Sequence, residues 1–370
     1  MKIGQIVASV DPRNGGPSVS VPRLARALAD QNHDVSLLST HAHSEEPATH
    51  SHLTTQVFHR SFPSRICRSP ELAAHLRRRP YDILQSNGLW LRPLHYAAAA
   101  ARQQGIPHVI APRGMMSPWA WNFHRWKKNL AYRFIHPGAI ESASGFHATS
   151  KAEADDIRSL GFKQPICVAP NGIDRPDVMA EEQARRYWQK ACPEAFERPT
   201  ALFYSRFHRK KRLLELIDLW ISEAPHDWLL LVVGFPQEYS VHELNEYVLR
   251  AGGHNSIIVF DGTDAPHPYP AASLFLLPSL SENFGMVVAE ALAYGLPVLV
   301  TDSTPWDCVN ATDYGWCGPW DQFRSALHQS LALGHKTLRK RGAEARNWAV
   351  QEFSWDRTAS ILTDFYRSLK

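Results

Sequence analysis

The sequence is short of the features that mark several function classes. Its five cysteines (Cys67, Cys167, Cys192, Cys308 and Cys317) include no C-x-x-C pair, so reduced, mostly buried thiols are expected in place of a disulfide framework or zinc knuckle. The nineteen histidines form no H-E-x-x-H motif and no H-x-H pair with a third ligand, which argues against a zinc enzyme. G-x-G-x-x-G is missing, and with it the dinucleotide fingerprint. No stretch reaches the roughly 18 consecutive apolar residues of a membrane span. The N-terminus, MKIGQIVASV, lacks the tripartite build of a signal peptide and reads as a first strand, so a cytoplasmic location is expected. Net charge is only +4, too little for a nucleic-acid protein. Basic residues do gather at 75–79 and again at 113–133, enough for an anionic surface patch.

What is present is a long alternation of strand and helix. At 370 residues two domains of ordinary size are expected. Lys2 to Val10 is an apolar strand, followed by a loop holding Gly15 and Gly16. Val21, Leu24, Ala25, Leu28 and Ala29 then repeat at the spacing of one helix face. Short apolar strands are predicted around residues 35–39, 83–85, 109–111, 146–149 and 166–169, and Ser150 is a candidate N-cap. After Pro199 the alternation restarts, with strands near 201–204, 229–233, 257–260, 274–277 and 298–301. Two such runs predict an α/β chain of two doubly wound, Rossmann-like parallel-sheet domains, over 1–171 and 172–353. A last helix within 354–370 has either domain open to it, and a return onto the N-terminal one is expected. Ligands in such sheets bind at strand carboxyl ends, and here two sets of those ends are expected to face one central cleft.

The most informative segment is Ser279 to Ala291, where an apolar strand turns at Pro278 and enters a helix near Phe284. Gly285 lets a ligand approach the backbone, and the first helical amides are donors suited to phosphate. Glu282 falls in the loop, Glu290 two turns further on. A strand-loop-helix connection with two solvated glutamates explains the pattern equally well.

Glu282 and Glu290, with Phe284 and Gly285 between them, resemble the E-x7-E signature of glycosyltransferase family four. Tyr204 to Leu213 resembles the same family's G-R-L-x-x-x-K-G segment, and Pro170 to Asp174 its interdomain P-N-G-x-D. Thr304-Pro305-Trp306 and Gly315-Trp316 resemble a pairing of a bacterial surface-polysaccharide subgroup. The resemblance implies the GT-B architecture and a retaining, metal-independent transfer from a nucleotide diphosphate-sugar, with no further cofactor. It implies that Arg206 and Lys211 hold the donor diphosphate, that Asn283, Phe284, Gly285, Met286 and Val287 line it, that Glu290 binds the ribose and that Glu282 contacts the sugar. Two cations at that place also make physical sense, since cations disfavour a helix N-terminus unless an anion is near. Ser205 and Arg212 stand where the family has glycine, and both changes read as compatible with strand or helix.

In the first half the resemblance places Gly16 against the donor phosphate and Gly15 on the acceptor side. Arg113 and Gly114 follow a strand, where many relatives have a histidine before the glycine. A guanidinium there suits an acceptor or phosphate, and a loop arginine paired with a carboxylate is the plain alternative. Trp119, Trp121, Phe123 and Trp126 interleave with Arg125, Lys127, Lys128 and Arg133. That mixture suits a lipid-diphosphate acceptor or the inner-membrane surface, and equally a helix packing its aromatics inward. The expected partners are thus a nucleotide-sugar and a glycan or lipid-linked glycan in lipopolysaccharide, capsule or exopolysaccharide synthesis, and no nucleic acid. Rival readings are an epimerase of the same architecture, a glycoside hydrolase using the two glutamates, and a non-catalytic nucleotide-sugar binder.

Overall fold

A computed structural model describes residues 1–11, 14–41, 51–123 and 125–370; the side chains at 119, 125 and 127 also lie outside the described set. The chain divides into two compact units, Met1–Gly172 with Phe353–Lys370, and Ile173–Glu352.

The first unit holds a seven-stranded sheet, parallel throughout. Its strands are β1 (Lys2–Val7), β2 (Asp34–Ser39), β3 (Leu53–Val57), β4 (Ile83–Asn87), β5 (His108–Ala111), β6 (Gly145–Ala148) and β7 (Ile166–Val168), in the spatial order β3-β2-β1-β4-β5-β6-β7. β4 is buried from Ile83 to Asn87; its apolar start gives way to Gln85, Ser86 and Asn87, whose side chains are tolerated there because each is hydrogen-bonded within the unit. The helix Gly16–Asp30 turns Val21, Leu24, Ala25 and Leu28 into the core. Ser150 caps the helix Lys151–Ser159 by accepting from the Glu153 amide at 3.1 Å.

The final helix, Trp355–Ser368, belongs to this unit. Ser354 caps it, and Trp355, Ala359, Leu362 and Tyr366 join the core formed by the helix Gly16–Asp30. Burying three or four such side chains contributes about 2 kcal/mol each. Gly172 sits against the Trp355 ring so closely that any Cβ there would overlap it.

The second unit holds six parallel strands: β8 (Thr200–Phe207), β9 (Leu229–Pro236), β10 (Ile257–Asp261), β11 (Leu274–Leu277), β12 (Val298–Thr301) and β13 (Gly315–Gly318), in the order β10-β9-β8-β11-β12-β13. In each sheet the order reverses beside its first strand, between β1 and β4 and between β8 and β11. A crevice opens outside the carboxyl ends at such a reversal, because the connections leave to opposite sides. No helix among the described residues is long and apolar enough to cross a membrane.

Candidate active site

At the reversal of the second sheet, the turn after β8 meets the loop after β11. The Leu280 amide donates to the Lys210 carbonyl at 2.8 Å, and the Glu282 amide donates to Ser303 O at 3.0 Å. These bonds bring Lys211 Nζ onto Glu282 Oε1, which also accepts from Ser279 Oγ at 2.9 Å. Lys211 is 6 % exposed and the Glu282 side chain 15 %. Burial alone would raise the Glu282 carboxyl, but the Lys211 ammonium and the bonds from Lys211 and Ser279 outweigh it and hold the group below its ordinary value. Lys210 is lowered by burial, with Lys211 and Arg206 adding repulsion against the pull of Glu282. Arg206 is exposed and makes no ion pair among the described residues. The anion demanded beside Lys211 is thus the protein's own Glu282, while Arg209 and His208 face Glu238 at 3.4 Å.

Arg212 departs from expectation. Its φ of 51° and ψ of 38° are left-handed, so the change from glycine is not compatible with helix or strand; the turn from the 3-10 segment Arg209–Lys211 into the helix Leu213–Glu223 requires this geometry. A cation over a ring offsets part of the strain, the guanidinium lying 4.9 Å from the Trp320 ring centre.

Gly285 ends the acidic loop at φ 77° and precedes the helix Met286–Ala293 without a side-chain cap. The amides of Met286 and Val287 therefore have no intrahelical acceptor. Trp306 anchors the loop: its Nε1 donates to Phe284 O at 2.5 Å and its ring lies 5.3 Å from that of Phe284, both buried. Asn283 precedes them, half-buried. Glu290, on the same helix, accepts at Oε2 from the buried Tyr269 hydroxyl at 2.8 Å. Burial, then the Glu290 charge, raises Tyr269 well above the usual phenol value, so it stays a donor. Tyr269 stacks on Tyr294 at 5.0 Å and meets Tyr204 edge-on at 5.6 Å.

In the first unit the reversal between β1 and β4 carries a cavity of about 290 Å³, lined by Ser9, Asn14, Ser18, Arg60, Asn87 and Gly88 among others. Gly15 (φ 101°) and Gly16 open the adjoining helix, and a Cβ on either would meet nothing within 4 Å. Arg113 is 9 % exposed and holds no carboxylate among the described residues. Its guanidinium donates to Asn171 Oδ1 and Asn87 Oδ1, both at 2.8 Å, and burial lowers it to about 10. Beneath it Asn87, Gln5, Tyr366 and Gln85 close a ring of buried hydrogen bonds. The adjacent Gly114 (φ 78°) donates its amide to Glu153 Oε1 at 2.6 Å, a carboxylate that also accepts from Thr149 N and Oγ1.

Each unit thus gathers its own sequence-predicted residues: Arg206, Lys211, Glu282, Gly285 and Glu290 in one, Gly15, Gly16, Arg113 and Gly114 in the other. Tyr269, Glu153 and Asn87 were not anticipated, and Ser279 and Asn171 were noted only as members of their motifs. The Ser150-x-x-Glu153 spacing of a capping box signals Glu153, but only the fold carries its side chain to Gly114.

The chain is similar in sequence and in fold to known glycosyltransferases. Residues 14–175 match the model described as Glycosyltransferase Family 4, and residues 186–345 that of Glycosyl transferases group 1. A D-inositol 3-phosphate glycosyltransferase of Xylanimonas cellulosilytica is 24% identical over 95% of this chain and 91% of its own length. The lipopolysaccharide core biosynthesis mannosyltransferase LpsB of Rhizobium meliloti is 34% identical over 27% of this chain and 30% of its own. Among solved structures, Anabaena HepE in complex with UDP superposes with a TM-score of 0.76 at 20% identity, covering 100% of both chains.

Proposed function

Because the chain belongs to the GT-B glycosyltransferases, with a Family 4 first half and a group 1 second half, we propose that it is a retaining hexosyltransferase of bacterial surface-polysaccharide synthesis. Its donor is a nucleotide diphosphate-sugar and its acceptor a glycan or lipid-linked glycan of lipopolysaccharide, capsule or exopolysaccharide. The contact between Lys211 and Glu282 carries this reading, since it joins the basic turn and the acidic loop beside an open helix N-terminus. A mannosyltransferase of lipopolysaccharide core synthesis among the relatives supports the acceptor class, and a UDP-bound neighbour supports the donor class.

In this reading residues 172–353 bind the nucleotide-sugar and residues 1–171 the acceptor, at the cytoplasmic face of the inner membrane. Arg206, Lys211 and the amides of Met286 and Val287 meet the charge that develops on the departing diphosphate. They do so without a metal. Asn283, Phe284 and Gly285 shape the phosphate loop, and Gly16 lets the phosphate approach the first unit's backbone. Glu290, oriented by Tyr269, takes the ribose hydroxyls, and Glu282 takes the sugar. Gly15 and Gly114 leave room for the acceptor, while Arg113 acts through Asn87, which lines the cavity. The bond from the anomeric carbon to the diphosphate oxygen breaks, and the acceptor oxygen bonds on the same face. Its proton passes to the leaving phosphate.

Thermal-shift titrations with UDP, GDP, dTDP, CMP and NAD test this. One nucleoside diphosphate should stabilise the protein, by about 2.7 kcal/mol at a hundredfold excess over Kd. Arg206→Ala, at an exposed position with no ion pair among the described residues, should weaken that shift and leave the ligand-free Tm unchanged. No response, or a response to NAD alone, overturns the reading.

A further inference from the structure

The two sheet reversals compensate their cations differently. In the second unit Lys211 meets a carboxylate of its own unit, Glu282. At the first unit's reversal no acid plays that part for Arg60. This half-buried side chain follows β3 and reaches across the carboxyl ends of two other strands. Its Nη2 donates to Ala8 O, just past β1, at 2.7 Å, and its Nε to Thr40 Oγ1, just past β2, at 2.9 Å. Thr40 Oγ1 donates in turn to Ala8 O at 2.9 Å, which closes the arrangement and fixes the plane of the guanidinium. Among the described residues Nη1 has no hydrogen-bond acceptor and the guanidinium no ion pair. Arg60 also lines the cavity of about 290 Å³ at this reversal.

The rest of that lining is neutral. Ser9, Asn14 and Ser18 bring hydroxyls and an amide, Leu89 and Met115 bring apolar surface, and no aspartate or glutamate lines it among the described residues. Asp11, two positions beyond Ser9, has its carboxylate 3.5 Å from His41 Nε2. The helix Gly16–Asp30 reaches the cavity wall at Pro17 and Ser18 with no acid in its first turn. Behind Asn87 stands a second cation, Arg113, bonded to two amide oxygens. A guanidinium withdrawn from water and facing only carbonyl and hydroxyl oxygens lacks a counter-charge, and an anion in the cavity supplies one.

We propose that this cavity seats an anionic sugar of the acceptor, a phosphorylated or a uronic residue, and that Arg60 is the residue that selects its charge. Nη1 is the donor left to an anion oxygen, on a fork whose other bonds hold it in place. The volume is at the small end of ligand sites, so one sugar-sized group enters and not a chain. A neutral sugar leaves Arg60 uncompensated, and specificity follows from that difference. The inference rests on the acceptor reading of the first unit and narrows it from any glycan to one that carries negative charge at this site.

Isothermal titration of the full chain compares glucose, galactose and mannose with their 6-phosphates and their uronates. At least one charged hexose should bind at least about tenfold tighter than its neutral parent, and the phosphate and uronate arms tell the two sources apart. Arg60→Gln should bring that charged ligand down to the affinity of the neutral one, whose own binding stays unchanged. Arg60→Lys, which keeps the charge without the fork, should retain part of the preference. No charged hexose preferred over its parent, or a preference that survives Arg60→Gln, overturns the proposal. An equal loss of charged and neutral binding in Arg60→Gln makes the arginine a strut of the strand ends and overturns it too. So does displacement of the charged hexose by a saturating nucleoside diphosphate, which assigns Arg60 to the donor's phosphates. Arg60-dependent binding together with a flat nucleotide titration keeps the anion site and sinks the transferase reading; a nucleotide response without it sinks only this proposal.

Discussion

Lys211 and Glu282 set the terms for any substitution at the site. Both are largely withdrawn from water, so Lys211→Ala strands a carboxylate and should cost about 3 kcal/mol in a urea titration. Adding Glu282→Gln should recover part of that, which a double-mutant cycle measures. Loss of turnover in Lys211→Ala alone is therefore ambiguous, and Arg206 is the cleaner probe of phosphate binding. The Glu282 carboxyl lies below its ordinary value, so its contribution to stability is complete above the unfolded carboxylate range. It fades as pH falls through the lower folded value; the acid limb of wild type minus Glu282→Gln should show this. Arg212 offers a second test. Because its backbone is left-handed, Arg212→Gly should be more stable than Arg212→Ala by about 1 kcal/mol, read from Tm.

Among the elements, the loop-helix junction at Gly285 carries the strictest backbone demand. A Cβ there would adopt φ 77° and come within 3.3 Å of Trp306 Nε1, the atom that anchors Phe284 O. Gly285→Ala should cost about 1–2 kcal/mol by denaturant titration and weaken nucleoside-diphosphate binding with it. Gly16 makes the contrasting case. A Cβ there meets open space in a helical first turn, so Gly16→Ala should leave stability within about 0.5 kcal/mol. Any loss of donor affinity in that variant reports the ligand's own approach to the backbone.

For the whole molecule, the final helix returns to the first unit after the second is complete. Trp355 and Tyr366 insert into the core around the helix Gly16–Asp30, and the Tyr366 hydroxyl bonds Gln5 at 3.1 Å and Gln85 at 2.6 Å. Truncation after Glu352 should therefore expose that core and make residues 1–172 protease-sensitive while residues 173–352 stay resistant. The first unit should also be the more acid-labile. Burial lowers His108 and His147, both within it, to about 3. They stay neutral in the fold while the unfolded chain takes up protons below about pH 6.5. Stability contributed this way is whole above that pH and falls as pH drops towards the folded values. Unfolding near pH 5 should be accompanied by uptake of at least about two protons, measurable as the slope of stability against pH.

Much of this was legible from residue order alone. The apolar runs of β1, β8, β11 and β12 mark strands buried on both faces, and periodicity in Val21 to Ala29 marks a core helix. Two cycles of alternation predict two parallel sheets, and the motif residues sit at strand ends because the chain enters them directly from apolar runs. Two of the four edge strands escaped notice: β3 (LTTQV) is partly exposed and polar, and β13 (GWCG) is short and begins and ends in glycine, so neither shows the buried-strand pattern. Sequence spacing also could not report the left-handed turn at Arg212, because backbone sign depends on how two elements are joined. Only tertiary structure pairs Lys211 with Glu282, 71 residues away, or Tyr269 with Glu290, 21 away. It also seats Arg113 on Asn87 and Asn171. Local order dictates which segments can be strand or helix, since periodicity and propensity act over a few residues. Which side chains meet, and which charges are taken out of water together, is decided by strand order in the sheet, and that order is a property of the whole chain packed at once.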